Sequence, residues 1–188
     1  MSLSSPTFSF DEPIASVVTQ QAFQHYATGV TDPAARDLLQ NTGVSSLFPN
    51  GVNHRTMASC CLSGIWLLHN FLDDSHEISQ SIKTPEGSLW HGLMHRLEGD
   101  FWNSKYWYRQ AGDHPCFERI SELISETASV EVAQISMLGS DPFDPYGFVD
   151  LCEQAETGRD QHQLELARHI SRLEWLALFE YCLENATK

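Results

Sequence analysis

Apolar residues recur along most of the chain at spacings of three and four positions, which is the pattern of helices with one buried face. Several breaks in the pattern carry an acceptor side chain followed by proline, a combination typical of helix starts: Asp32-Pro33, Thr84-Pro85 and Asp144-Pro145. The pattern therefore predicts an all-α protein. The expected helices lie near residues 14–27, 33–41, 55–74, 85–98, 101–111, 115–127, 145–156 and 160–186.

The chain has 188 residues, which is close to the length of one domain. We expect residues 1–188 to form a single compact domain, with a helical hairpin at about residues 85–111 at its centre. The serine-rich residues 1–10 are expected to be a flexible arm. Residues 129–136, SVEVAQIS, have the β-branched content of a strand, but we expect irregular chain or helix there because a lone strand has no partner.

Charge and composition narrow the range of partners. The chain has 11 Lys and Arg against 25 Asp and Glu, a net charge of −14, which disfavours a nucleic-acid partner because phosphates need cations. The longest nearly apolar run, residues 60–72, is shorter than the about 20 residues that span a bilayer, so no membrane partner is expected. The first residues do not resemble a secretory signal, and we expect a cytoplasmic protein.

Neither the glycines nor the cysteines form a known functional motif. No glycine-rich phosphate-binding loop is present, so no nucleotide cofactor is expected. The five cysteines are odd in number and lack CxxC spacing, which favours reduced thiols in the core. A thiol nucleophile is the alternative, and Cys116 is the best candidate for it. The sequence leaves the oligomeric state open.

Two segments repeat one spacing of residues that could bind a metal. They are His69-x3-Asp73-x2-His76 and His91-x3-His95-x2-Glu98. On a helix this spacing keeps all three side chains of a segment within one face. We therefore predict that a divalent transition metal could be held by His69, His76, His91 and His95, with Glu98 or Asp73 as a catalytic base. The alternative is one core histidine, His69, and a solvated polar face for the others.

Residues 90–115 combine aromatic rings with hydrogen-bonding side chains, a mixture suited to the walls of a small-molecule pocket. The predicted ligand-binding residues are Trp90, Arg96, Asn103, Trp107 and Arg109. The two arginines could clamp a carboxylate or a phosphate, or they could pair with the nearby acidic residues Glu98, Asp100 and Asp113.

Residues 73–115, DDSHEISQSIKTPEGSLWHGLMHRLEGDFWNSKYWYRQAGDHP, resemble an uncharacterised family of helical proteins. The family signature is SH-x-ISQSI…WHG-x-MHR-x-E-x-D-x-x-N-x-x-YW-x-R-x-x-G-x-HP, and residues 148–186 resemble the ending of the same family. The resemblance implies an intact helical domain and brings no established activity, cofactor or substrate. It implies a shared pocket among the signature positions His76, Ser79, Gln80, His91, His95, Arg96, Glu98, Asp100, Asn103 and Trp107.

Two functions fit these patterns. The first is a small-molecule enzyme or binding protein whose pocket combines His, Asp and Glu with aromatic rings and could hold a metal. The second is a non-catalytic helical scaffold that presents aromatic side chains to a protein partner: Trp102, Tyr106, Trp107 and Tyr108. The repeated polar spacing beside aromatic residues favours the first.

Overall fold

The structure is a computed structural model that describes residues 9–31, 33–127 and 142–188. The described residues form helices and no strand, which confirms the predicted all-α class. The helices are α1 (Ile14–Val17), α2 (Gln20–His25), α3 (Pro33–Leu39), α4 (Val44–Leu47), α5 (Arg55–Leu68), α6 (Leu72–Ser79), α7 (Pro85–Glu98), α8 (Phe101–Ala111), α9 (Cys116–Thr127), α10 (Pro145–Gly158) and α11 (Gln161–Thr187).

The hairpin of α7 and α8 has the bounds that the sequence predicts, because local residues set its ends. The Thr84 hydroxyl accepts a hydrogen bond from the backbone N–H of Gly87 and begins α7. Gly99, at φ +85°, ends this helix in a left-handed conformation that favours glycine. One residue later the Asp100 carboxylate accepts from the N–H of Asn103, at 3.1 Å, and begins α8.

The structure divides two of the predicted helices. Residues 14–27 form two short helices, α1 and α2, and the second begins at the Thr19 cap. The predicted helix 55–74 ends at Leu68, and α6 begins at Leu72 after a turn at Asn70. Asn70 has φ +59°, and its amide nitrogen donates to the carbonyls of His25, at 3.1 Å, and Val30, at 2.9 Å. This turn separates residues that a continuous helix would have placed on one face.

Some sequence predictions concern residues at or beyond the limits of the described chain. Asp32, residues 1–8 of the predicted arm and the segment 129–136 lie outside the described residues. Phe10, the last residue of that arm, packs edge-on against Phe179, with the ring centroids 5.3 Å apart. The arm is therefore anchored to the core at that end. None of the helices described here is both long enough and apolar enough to cross a membrane.

The core is centred on Trp175 of α11. Its ring lies 6.1 Å from that of Trp90 on α7, and its indole N–H donates to the carbonyl of Gly64 on α5, at 2.8 Å. A Cβ atom at Gly64 would lie 2.6 Å from the Trp90 ring, so only glycine allows α5 and α7 to approach this closely. Because α6 and α8 also pack against α7, this helix is buried along most of its length.

Candidate metal centre

Three histidines converge where α6 meets α7. His76 lies in the last turn of α6, and His91 and His95 lie four residues apart on one face of α7. Each histidine offers one ring nitrogen, and these three nitrogen atoms all lie within 4.8 Å of one another. His91 and His95 are buried, whereas His76 is half-buried. The structure thus brings together three of the four histidines that the sequence predicted as metal ligands.

The three imidazole rings contact one another directly. The His91 ring stacks on the His95 ring, with centroids 4.8 Å apart, and meets the His76 ring edge-on at 4.6 Å. From α8 the indole of Trp107 stacks on His91, with centroids 3.9 Å apart. Trp107 therefore fixes the plane of His91 and forms an aromatic wall of the cluster.

His91 is the residue of the cluster whose hydrogen bonding is incomplete. Its side chain is buried, at 3% exposure, and its Nδ1 atom has no hydrogen-bond partner among the described residues. Burial, together with the neighbouring His95 and His76, lowers the pKa of His91 to about 3. The imidazole is consequently neutral at physiological pH, which is the form that binds metals. An unpaired polar atom in such a place costs about 1–3 kcal/mol unless something binds it.

His95 is held on both of its nitrogens. The Asn103 amide nitrogen lies 3.1 Å from Nε2 and donates to it, so Nδ1 carries the proton and donates to the Glu98 carboxylate, at 3.0 Å. Burial lowers the pKa of His95, although Glu98 partly opposes this. A carboxylate that fixes the tautomer of a histidine in this way is a frequent second partner of metal-binding imidazoles. Because the Nε2 lone pair accepts from Asn103, the Asn103 amide would have to turn away before Nε2 could bind a metal.

The spacing of the three nitrogens fits a metal after a small contraction. Ligands at about 2.1 Å from a tetrahedral metal are about 3.4 Å apart, so the widest pair, up to 4.8 Å, would have to close by about 1.4 Å. His76 is half-buried and is the least enclosed of the three, so the contraction would have to come from rotation of its ring. The donor set, three imidazoles, suits Zn²⁺ and its transition-metal neighbours.

The fourth predicted ligand, His69, does not belong to this cluster. The turn at Asn70 ends α5 before it, and its Nε2 donates to the carbonyl of Val17, at 2.8 Å. It lines a separate cavity of about 320 Å³ between α2 and the end of α5. The predicted grouping assumed one continuous helix from His69 to His76, and the turn at Asn70 separates the two residues.

The two predicted catalytic carboxylates have different positions. Glu98 contacts His95 and is itself more than half exposed. Asp73 lies in the first turn of α6, exposed to solvent, and is not part of the group of ligand atoms. The structure thus supports a role for Glu98 in holding His95 and gives Asp73 no contact with the cluster.

The predicted ligand-binding residues separate into three environments. Asn103 and Trp107 contact the histidine cluster, as described above. Trp90 is fully buried in the core against Trp175, so it is not a pocket wall. Arg109 is exposed on α8. Arg96 is buried and forms part of a polar network in the core.

That network joins three helices and could not be predicted from the local sequence. Arg96 donates through Nη1 to the Tyr108 hydroxyl, at 2.6 Å, and through Nη2 to the Glu174 carboxylate. The Tyr108 hydroxyl donates to the other oxygen of Glu174, at 2.6 Å. The Arg96 guanidinium also lies 4.5 Å from the centre of the Phe148 ring. The acidic partner of Arg96 is thus neither Glu98 nor Asp100. It is Glu174, which lies 78 positions away in the sequence.

The sequence also did not predict a buried group around Cys116. The Nδ1 atom of His114 accepts from the Cys116 backbone N–H, at 3.2 Å, and lies 3.0 Å from the thiol; Nε2 faces Glu86 at 3.4 Å. The order resembles that of a nucleophile, a base and an orienting carboxylate. However, burial raises the pKa of the Cys116 thiol well above its usual range, so the sulfur stays protonated. The thiol is therefore not in its nucleophilic form in this arrangement.

No family model matches the chain, and no curated protein or solved structure matches it either. The class of site is accordingly defined by its geometry alone: a three-histidine cluster of metal-ligand type, walled by an indole and held by a carboxylate and an amide.

Proposed function

We propose that the protein binds a divalent transition metal through His76, His91 and His95 and uses this centre to bind or transform a small molecule. The observation that carries the proposal is the buried Nδ1 of His91, which lacks a partner among the described residues and belongs to a group of three imidazoles. A metal would complete the coordination of this group and remove the cost of the unpaired atom.

Three protein ligands would leave a coordination position open, as catalytic zinc sites do. A metal in such a site polarises a substrate oxygen or activates a bound water. Two residues of the chain would support the site: Glu98 holds the His95 tautomer, and Trp107 offers a flat apolar surface beside His91. Net charge of −14 favours neutral or cationic small molecules over anionic ones near the surface.

The family resemblance supports the same site. Six of the signature positions meet in this cluster: His76, His91, His95, Glu98, Asn103 and Trp107. We propose that they form the shared pocket of that family. We also propose a cytoplasmic location, because all five cysteines are free and buried, which suits a reducing compartment.

The experiment that tests the metal site is a measurement of metal content by plasma mass spectrometry on untagged protein purified without chelator. We expect about one Zn, Fe, Mn or Ni per chain in the wild type and none in the His91→Ala/His95→Ala variant. The matched control is His69→Ala, which removes a histidine outside the cluster and should keep the metal. A metal-free wild type that also fails to bind added Zn²⁺ would contradict the proposal.

A second candidate function is the helical scaffold, and one surface feature favours it. Trp102 is 78% exposed and Tyr106 is 39% exposed, and their rings lie nearly parallel on the outer side of α8, 6.3 Å apart. Trp107 and Tyr108, also predicted for this role, are engaged with His91 and with the core network instead. Under this function, Trp102→Ala/Tyr106→Ala abolishes capture of a protein partner and leaves metal content unchanged. The His91→Ala/His95→Ala variant, in contrast, still captures the partner.

A further inference from the structure

The cavity between α2 and the end of α5 lies apart from the histidine cluster and has no role in the proposed function. Its volume, about 320 Å³, is at the lower end of the range of about 300–1,000 Å³ that small-molecule sites occupy. Buried Ala22, Leu68 and Asn70 line its inner part, whereas exposed Val30 and Thr31 border it towards solvent. The cavity thus combines a buried inner wall with access from solvent.

His69 offers a hydrogen-bond acceptor to this cavity. Its Nε2 atom lies 2.8 Å from the carbonyl oxygen of Val17, which can only accept, so Nε2 carries a proton and donates. In the neutral imidazole Nδ1 then keeps its lone pair, and no described residue donates to it. Nδ1 is not one of the unpaired atoms that the protein covers completely. Because His69 lines the cavity, a ligand there can donate to this nitrogen.

Asn70 supplies a second acceptor. Its amide nitrogen donates to the carbonyls of His25 and Val30, which fixes the orientation of the amide and identifies the other atom as Oδ1. No described residue donates to Oδ1, although Asn70 is only 7% exposed, and this oxygen too is not completely covered. Asn70 also borders a second cavity, of about 60 Å³, which has room for about two waters. Two neighbouring residues at the end of α5 therefore present acceptors that the described protein leaves unused.

The remaining walls favour a neutral ligand with an aliphatic body. No Asp, Glu, Lys or Arg lines this cavity among the described residues, so a charged ligand would find no counter-ion in its walls. The aliphatic side chains that line it are Ala22, Val30, Pro33 and Leu68. The hydroxyl of Thr31, on the solvent side, can donate to a ligand carbonyl.

We propose that this cavity binds a small neutral carboxamide with an aliphatic body. A primary amide carries two N–H donors on one nitrogen, which equals the number of unused acceptors that His69 and Asn70 present. A carboxylate offers acceptors alone and would meet the lone pairs of both residues. An ammonium group would leave its charge without a counter-ion. The inference does not depend on the proposed metal site, because none of these residues is a proposed metal ligand.

The test is a titration of the full-length, ¹⁵N-labelled protein with pentanamide, followed by two-dimensional NMR. We expect saturable shifts of the backbone amides of residues 19–31 and 68–70, and no shifts in α7. The comparison compound is N,N-dimethylpentanamide, which keeps the carbonyl and the aliphatic body but has no N–H donors. It should bind at least about tenfold more weakly, because the acceptors of His69 and Asn70 then stay unpaired.

Two variants test the location of the site. In His69→Gln the new amide nitrogen can replace Nε2 in the bond to Val17, but the acceptor at Nδ1 is lost, so we expect about tenfold weaker binding. The matched control is His54→Gln, an exposed position just before α5 that should bind pentanamide like the wild type. Ala22→Leu alters no side-chain hydrogen bond and adds three carbons at the inner wall, which should abolish binding. Circular dichroism should show that both variants are folded.

Treatment with a chelator should leave the affinity for pentanamide unchanged, which separates this site from the proposed metal centre. Absence of saturable shifts in the wild type would overturn the proposal. Equal affinities for pentanamide and its dimethyl derivative would do so as well, since the N–H donors would then play no part. Shifts confined to α7 and α8 would place the ligand elsewhere and would equally refute it.

Discussion

Two buried histidines, His91 and His114, meet their need for hydrogen bonds in opposite ways. His114 uses both nitrogens, one with the backbone and thiol of Cys116 and one with Glu86. His91 is buried to a similar degree, yet its Nδ1 has no partner among the described residues. Burial of a histidine is therefore no sign of a site by itself. The useful sign is a buried nitrogen that the surrounding protein leaves unpaired beside other potential ligands.

The largest effect should come from adding metal. If His91 is a metal ligand, Zn²⁺ at about a thousand times the dissociation constant of the site should raise the free energy of unfolding by about 4 kcal/mol. Denaturant unfolding with Zn²⁺ and with a chelator measures this difference. His91→Leu should abolish it, whereas His114→Leu should preserve it. Equal stabilisation of both variants would mean that the metal binds elsewhere.

A second test compares two single variants in metal-free protein, each with one of the two histidines replaced by leucine. His114→Leu should lower the free energy of unfolding by about 2–3 kcal/mol, because it removes a partner of the buried Glu86 carboxylate. His91→Leu should leave it unchanged or raise it slightly, because the change loses no hydrogen bond of Nδ1 and removes the cost of burying that unpaired atom. Chemical denaturation at neutral pH gives both values. A larger decrease in the free energy of unfolding for His91→Leu than for His114→Leu would contradict our interpretation of the two sites.

Acid should weaken the metal-free protein through His91. Its pKa is lowered from 6.5 to about 3 on folding, so between these values the unfolded chain binds more protons than the folded one. The free energy of unfolding therefore falls as pH falls below 6.5, and by pH 5 this one group should account for about 2 kcal/mol. Unfolding curves at pH 7.5 and 5 should show a smaller difference for His91→Leu than for the wild type. Identical differences would contradict the low pKa.

The smallest effect should come from Glu98→Gln. This change keeps the size of the side chain and weakens the acceptor that holds the His95 tautomer, at 3.0 Å. Loss of such a carboxylate commonly lowers metal affinity about 10-fold, or about 1.4 kcal/mol. Competition with a chromophoric chelator measures the affinity, and Glu77→Gln, exposed on α6, is the matched control. Unchanged affinity in Glu98→Gln would leave the carboxylate without a role.

The parts of the fold that local chemistry decides were predictable from the sequence. Thr84, Gly99 and Asp100 act within one or two turns, and they set the bounds of α7 and α8. The turn at Asn70 was not predictable, because the acceptors that hold it, His25 and Val30, belong to a distant segment. A helix period alone contains no information about such partners.

The candidate site also has parts that the local sequence determines and parts that the packing of distant helices determines. The spacing of His91 and His95 on one face of α7 follows from the helix period, as does the reach of Glu98 back to His95. Which further histidine joins them depends on how α6 packs against α7, and this selects His76 rather than His69. Likewise, the pairing of Arg96 with Glu174 arises only when α7 and α11 meet.

The tight crossing at Gly64 has a mechanical consequence. With Trp90 pressed against the α5 backbone on one side and Trp175 on the other, α7 has no space in which to roll or slide. His91 and His95 thus lie on a rigid helix, α7, and His76 lies on the short, partly exposed helix α6 beside it. Since Ser75 ties α6 to α5 through hydrogen bonds with Ser63, a metal bound as proposed would meet ions of different radius through rotation of the His76 side chain, while the interior of the protein stays unchanged.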